Sequence, residues 1–380
     1  MLKRICKQYV LLCGLGILAI MALCLIASSS DVQHSSGSAM SALPSYSQQA
    51  AYAVQKLQRW YLPDTGLYEK PTDWWNSANA ITVLVDYSRA THTTQYLNAV
   101  ANTFSRANAA YGTKDFINDS NDDAGWWAIA WIDAYDLTKR PEYLTMAQTI
   151  FADLTTQWET ATCGGGVWWS KELTHSAYKN AITNELFLEI AASLANRVTD
   201  PEQKKYYLVW AQREWKWFNA SGMINSDNMI NDGLNATNPK ACTNNKQATW
   251  TYNQGVILGG LAELYNADHD SVLLSKADLI ARATMTHLVT PTGILEDHPV
   301  HGPDIPQFKG IFMRNLARLN RVAPSAQYKM FADTNARSIW SKDQGSNYQF
   351  GASWQGPFDS GDATRQTAVL DAFLAAAEMQ

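Results

Sequence analysis

Charge is what this chain has least of. Asp, Glu, Lys and Arg supply 17% of its 380 residues, against roughly 25% in an ordinary globular protein. The net charge is −5, and no basic run occurs beyond the first seven residues, which excludes nucleic acid as the main partner. Cysteine is scarce too. Of five, Cys6, Cys13 and Cys24 fall in the first 30 residues, leaving Cys163 and Cys242 for the body. No CxxC or His-rich spacing is present, so the motifs give no metal site. The acids Asp227 and Asp232, with Asn225, Asn228 and Asn231 between and around them, lack EF-hand spacing. Segments that alternate like strands are few, and this disfavours a β architecture.

What is there is aromatic and apolar. Hydrophobic residues reach 46%, with fifteen Trp and seventeen Tyr. Combined with low charge and abundant Asn and Gln, such aromatics suit sugar binding: flat faces stack on pyranose C–H groups and amides match hydroxyl pairs. Residues 1–30 read as a signal peptide or signal anchor, a basic start followed by an apolar run from Tyr9 to Ala27. On this reading the protein is secreted or held at the cell surface, with the apolar segment as its membrane attachment if it is not cleaved. Residues 31–43 form a Ser-rich linker, and 44–380 the functional domain. In an oxidising compartment Cys163 and Cys242 form a candidate disulfide. Asn118, Asn219 and Asn235 head glycosylation triplets.

From Pro44 onward the apolar spacing predicts about twelve helices. Short links join them in pairs, as at Val198–Asp200 and Val322–Pro324, and long loops rich in Gly, Asn, Asp and Pro separate the pairs. Tight links join antiparallel neighbours. All six long loops, and the N-termini of the even-numbered helices, therefore fall on one face. This is the plan of an all-α fold, an (α/α)6 barrel of six helical hairpins with the even helices inside. The even helices open on polar and aromatic residues together: Trp74, Trp75, Asn76 and Asn79; Asp122, Asp123, Trp126 and Trp127; Asn180 and Asn184; Tyr252, Asn253 and Gln254; Lys309. With Trp168, Trp169, Asp232 and Gln355 from the long loops, these are the candidate substrate-binding residues. Trp168 and Trp169 read equally as a sugar platform or as loop-anchoring core, and Gly164–Gly166 before them permit close backbone approach.

The adjacent carboxylates Asp122 and Asp123 carry the candidate chemistry. Glycoside cleavage needs one carboxyl as proton donor and a second as nucleophile or general base. Two carboxylates this close cannot both ionise freely, so one proton is held more tightly. The plain alternative is an acid capping a helix start. Glu185 and Glu189, deeper in a helix, read as structural; Glu296, Asp297, Asp359 and Asp362 are weaker candidates.

Seven segments, in order, resemble glycoside hydrolase family 76, the endo-α-1,6-mannanases. They begin at Trp74, Asn121, Cys163, Lys179, Thr251, Phe308 and Trp354 and run over most of the body from Tyr52 to Gln380. The resemblance implies an (α/α)6 fold and retaining endo-cleavage of α-1,6-mannosidic linkages in mannan. It implies Asp122 as nucleophile, Asp123 as acid/base, and no metal or organic cofactor. The expected partner is α-mannan polysaccharide or oligosaccharide, acted on by a monomer. Two other readings share the cleft: a cell-wall transglycosidase acting on a mannose-containing glycan or lipid-anchor glycan, and a non-catalytic mannan-binding protein.

Overall fold

The computed structural model describes residues 43–298 and 302–380; the predicted leader, and the linker up to residue 42, lie outside them. The twelve long helices are α1 (Tyr46–Leu57), α2 (Trp74–Thr91), α3 (Leu97–Tyr111), α4 (Asn121–Thr138), α5 (Pro141–Thr156) and α6 (Ala181–Arg197). They continue with α7 (Pro201–Ala220), α8 (Thr251–Asp268), α9 (Ser271–His287), α10 (Ile305–Val322), α11 (Ala326–Lys342) and α12 (Ala363–Glu378). One-turn helices and two tiny hairpins, Tyr61–Leu62 with Leu67–Tyr68 and Leu234–Asn235 with Thr243–Asn244, decorate the loops.

Local signals set the helix starts. Ser45 with Gln48, and Asp73 with Asn76, form capping boxes. Asn180, Asp200, Asp270, Ser325 and Asp362 each accept a first-turn backbone N–H. Prolines fill the first turns of α5, α7 and α10, where a missing N–H costs nothing.

The two kinds of helix bury differently. Outer helix α5 buries one stripe, Tyr143, Ala147, Ile150, Phe151 and Leu154, the spacing of an amphipathic helix. Inner helix α4 is buried all round from Ala124 to Ala134, with Trp126, Trp127 and Trp131 set among alanines. Each fully enclosed large side chain contributes about 1.5–3 kcal/mol. The even helices pack side by side in the cycle α2, α4, α6, α8, α10, α12 and back to α2, and each odd helix lies outside them. The fold is thus an (α/α)6 barrel. Small residues let the inner ring close: a Cβ on Gly310 of α10 would lie 2.4 Å from the Ala368 Cα of α12.

Several helices begin elsewhere than periodicity predicts. α6 starts at Ala181 rather than Ser176, because Asn180 is extended and bridges Gly233. α8 starts at Thr251 rather than Gln247, where Asp297 receives both the Thr251 N–H and hydroxyl. α10 starts at Ile305 rather than Gln307, which places Asp304 at its cap position.

Candidate active site

The N-terminal ends of the inner helices surround a cleft of about 460 Å³. Asp122 and Asp123 both face it from the first turn of α4. The capping alternative for Asp122 is only partly met: the cap position belongs to Ser120, and Asp122 is the second helical residue. Asp122 Oδ1 accepts the Asp123 backbone N–H at 2.9 Å, and Oδ2 accepts the Trp169 indole N–H at 2.9 Å. Asp123 Oδ2 accepts the Asn118 amide at 2.7 Å. That bond occupies the amide nitrogen of the first glycosylation triplet. Neither acid forms an ion pair with a lysine or arginine of the described residues.

Their proton affinities differ for stated reasons. Burial pushes Asp122 up to about 6, while the N–H donors of Asp123 and Trp169 pull it back. Asp123 is raised well above the ordinary range by burial, then by the charge of Asp122 and, beyond the opposing Asn118 bond, by Asp304 and Asp73. A charged Asp122 beside a protonated Asp123 is the arrangement in which one carboxyl donates a proton and the other attacks. The N-terminal ends of the five inner helices that reach the cleft, each carrying partial positive charge, favour the single anion.

An aromatic wall runs along the cleft. Trp75 stacks on Trp126 at 5.6 Å between centroids, Trp126 faces Tyr252 at 6.4 Å, and Tyr252 lies on Phe308 at 3.9 Å. The Trp75 indole donates to Asp304 at 3.1 Å. Across the cleft, Tyr178 donates to Asp232 at 2.6 Å and accepts from the Asn245 amide at 2.6 Å. Among the described residues no three His, Cys, Asp or Glu side chains are grouped to hold a metal ion.

Of the candidates read from the sequence, Asp122, Asp123, Trp74, Trp75, Trp126, Trp169, Asn180, Asp232 and Tyr252 line this cleft. The others sit elsewhere. Trp127 is in the core between Trp74, Phe116 and Trp131. Trp168 is buried under the Lys179 ammonium, so the Trp168–Trp169 pair divides between the two roles open to it. The amides mostly serve the backbone. Asn184 exchanges two bonds with the Val167 peptide, and Gln254 does the same with Ile230. An amide matches a peptide unit as well as it matches a sugar diol, which is why composition could not separate the two. Asn76 donates to Gln307, and Asn79 accepts from Arg314. Asn253 is wholly buried, its amide without a partner among the described residues. Lys309 donates to Ala352 under the Trp354 ring, and the exposed Gln355 reaches Glu296. Glu189 pairs with Arg318, whereas the buried carboxyl of Glu185 has no partner among the described residues.

The lining also includes Asp73, Tyr111, Ser120, Tyr178, Asp304 and Phe308, which the sequence reading left out. Asp304 and Asp73 were findable: each is an acid immediately before an inner helix. Cys163 and Cys242 are joined, tying the 159–169 loop to the 221–250 loop. Of the glycines before Trp168, Gly165 and Gly166 approach Trp217 rather than the cleft, and Gly164 approaches neither. A Cβ on Gly166, where φ is +89°, would lie 2.2 Å from that ring.

The model of the family described as Glycosyl hydrolase family 76 matches residues 45–380. The chain belongs to glycosyl hydrolase family 76. Among relatives, the mannan endo-1,6-alpha-mannosidase DFG5 of Candida albicans is 28% identical over 303 residues, covering 73% of this chain and 66% of that one. DCW1 of Saccharomyces cerevisiae, of the same name, is 26% identical over 298 residues, covering 73% and 65%. The matches therefore span a little under two thirds of those relatives' length. The family's fold recurs in solved structures. An inactive variant of the α-1,6-mannanase GH76A of Salegentibacter sp. HEL1_6, in complex with α-1,6-mannotetrose, has a TM-score of 0.80 at 21% identity, covering 89% of this chain and all of that one. Lin0763 of Listeria innocua has a TM-score of 0.77 at 26% identity, covering 88% and 97%.

Proposed function

We propose that this chain is a retaining, endo-acting glycoside hydrolase that cleaves α-1,6-mannosidic linkages in mannan, with residues 44–380 as its catalytic domain. The observation that carries the reading is the acid pair. Two carboxyls share one cleft, are held by neutral donors rather than cations, and differ in proton affinity in the sense the reaction needs. Family membership and the names of the relatives support the linkage.

In the first step the Asp122 carboxylate attacks the anomeric carbon and the glycosidic C–O bond breaks. Asp123 gives its proton to the departing oxygen, leaving a glycosyl ester on Asp122 and a free sugar hydroxyl. In the second step Asp123, now ionised, takes a proton from water as that water attacks the same carbon, and the ester bond breaks. Attack twice at one centre returns the starting configuration. The Trp169 N–H holds Asp122 in its attacking rotamer. The wall from Trp75 to Phe308 takes the apolar faces of successive mannose rings, with Asp232 and Asp304 as hydroxyl acceptors. A sugar hydroxyl in place of water would give transglycosylation with the same two acids. Secretion or attachment at the cell surface follows from the leader read in the sequence.

The test is incubation with linear α-1,6-mannan, following products by NMR. Short products that first appear in the α configuration, and their loss in Asp122→Asn, are expected. β-Configured first products would overturn retention, and full activity in Asp122→Asn would overturn the assigned nucleophile. Transfer to an added glycan without hydrolysis would replace the hydrolase with the transglycosidase. Binding without cleavage would leave only a mannan-binding protein.

A further inference from the structure

Lys179 is the most fully enclosed cation in the neighbourhood of the cleft, with a side chain 0% exposed, yet it does not line the cleft. Its Nζ lies 2.7 Å from Gly165 O, 2.8 Å from Thr162 O, 2.8 Å from Glu159 Oε1 and 3.1 Å from Glu159 O. The face of Trp168 lies 4.6 Å away. Every one of these partners belongs to a single loop, residues 159–168. An ammonium has three protons to give, and here each goes inward to the same ten residues. A chain that needed only a filled core would use a methionine in this position. A cation here is worth its burial only if the carbonyls it gathers must be held.

What the loop delivers lies at its end. The Asn121 backbone N–H donates to Trp169 O at 2.8 Å, and the Asn121 amide donates to Trp168 O at 2.8 Å. The Trp169 indole then donates to Asp122. The next two links start from Lys179 itself. Its neighbour Tyr178 accepts the Trp169 backbone N–H at 2.8 Å, and its own carbonyl accepts Leu234 N–H at 3.1 Å, beside Asp232. The first turn of α4 is thus attached to the loop by three bonds, and the loop is gathered onto one ammonium.

We propose that Lys179 is a positioning residue for Asp122, acting by clamping the 159–169 loop so that the Trp169 indole N–H stays on the carboxylate. The role assigned to Asp122 rests on the functional reading above; the clamp itself does not. Loosening the clamp withdraws a donor from the charged form of Asp122, so Asp122 should hold its proton more tightly. The substitution adds and removes no other titratable group facing the pair: Asp123 on α4, Asp73 before α2, Tyr111 on α3, Tyr178 and Asp232 on the two loops, Tyr252 on α8 and Asp304 before α10 keep their side chains. Around Lys179 the titratable groups are Glu159 and, on α7, Glu214, which burial raises to about 8. Lys171, beyond them, pairs with Asp153 and donates to Asn118 O.

The experiment is a pH titration of the full chain labelled with carbon-13 at aspartate carboxyls, the Asp122 signal identified by its loss in Asp122→Asn. Trp169→Phe removes the indole donor and sets the scale, with an upward shift in midpoint of ~0.5–1 pH unit expected. Lys179→Met should move the midpoint most of that way, and the double variant no farther, because both act through one bond. Glu159→Ala, at a partly exposed site that leaves the core filled, should move it in the same direction by less. On mannan, Lys179→Met should lower kcat about tenfold with KM changed less than about twofold. An unmoved midpoint in folded Lys179→Met, or in Glu159→Ala if Lys179→Met does not fold, overturns the clamp. The titration needs no substrate. A wild-type chain inert on mannan would sink the functional reading while the midpoint still decides this one.

Discussion

Four acids of the cleft and the acids of the opposite half of the barrel are carried on the same ring of helices and are held in different ways. At the N-terminal end of the inner ring, Asp122, Asp123, Asp232 and Asp304 are met by indole, phenol, amide and peptide donors. From the middle of the barrel to the other end, acids are met by arginine. Asp133 and Glu189 pair with Arg318, Asp136 and Glu263 with Arg197, Asp371 with Arg314, Asp86 with Arg89 and Glu378 with Arg321. That end also has a cavity, about 510 Å³ and as roomy as the cleft. Space therefore does not distinguish a reaction site from a structural gap. The guanidiniums hold Asp133 and Glu263 below the ordinary carboxylate range, although burial still leaves Glu189 and Asp371 raised to about 7. What sets Asp122 and Asp123 apart is that no cation opposes their burial and that both face the open cleft.

That contrast can be broken in order of expected effect. Arg318→Met strands Asp133 and Glu189 as buried acids without a counter-charge. It should cost about 3–5 kcal/mol in denaturant unfolding and leave the activity per folded molecule unchanged. Asp122→Asn should do the reverse, removing activity and adding about 1–3 kcal/mol of stability near neutral pH. The sign follows from the raised proton affinity. An unfolded Asp titrates near 3.9 and the folded group at about 6, so between these values the folded state holds a proton the unfolded state has lost. The wild type therefore loses stability as pH rises through that window, and the variant should lack that loss. The same two acids give the rate profile. Activity should rise as Asp122 ionises near pH 6 and fall at higher pH as Asp123 loses its proton. The smallest effect is expected from Arg321→Gln. Its partner Glu378 is partly exposed, and a surface pair contributes less than about 1 kcal/mol.

Much of the ring was legible in the sequence, because its signals are local. Tight links at Val198–Asp200 and Val322–Pro324 dictate hairpins, and alternating loop lengths put six helix starts on one rim. Asp122 and Asp123 stood out for the same reason. The rest of the lining was hidden where a side chain's direction decides its role. Trp126 and Trp127 are neighbours in sequence, yet one faces the cleft and the other the core, because successive helical positions lie about 100° apart. Asn184 and Gln254 look like sugar ligands until the peptides of Val167 and Ile230 are seen beside them. Tyr178 was lost inside a predicted helix that begins three residues later, since the Trp169 N–H on its carbonyl and the Asn180–Gly233 bridge keep the segment out of the helix.

The ring also has a seam. Helix α12 closes it by packing on α2, and α1 lies against α12, with the Gln366 amide donating to Ala53 O. The extensive packings elsewhere in the inner ring join helices consecutive in its order along the chain, whereas at this seam Thr72, just before α2, bonds Thr364 of α12 across 292 residues of sequence. During synthesis the first five hairpins can therefore assemble as an open arc, each pair adding to the last, and the circle is completed when α12 emerges. Until then the acids at Asp122 and Asp123 line an unfinished groove. None of the residues lining the cleft belongs to α12, so the last helix bears on the site only by closing the ring around it.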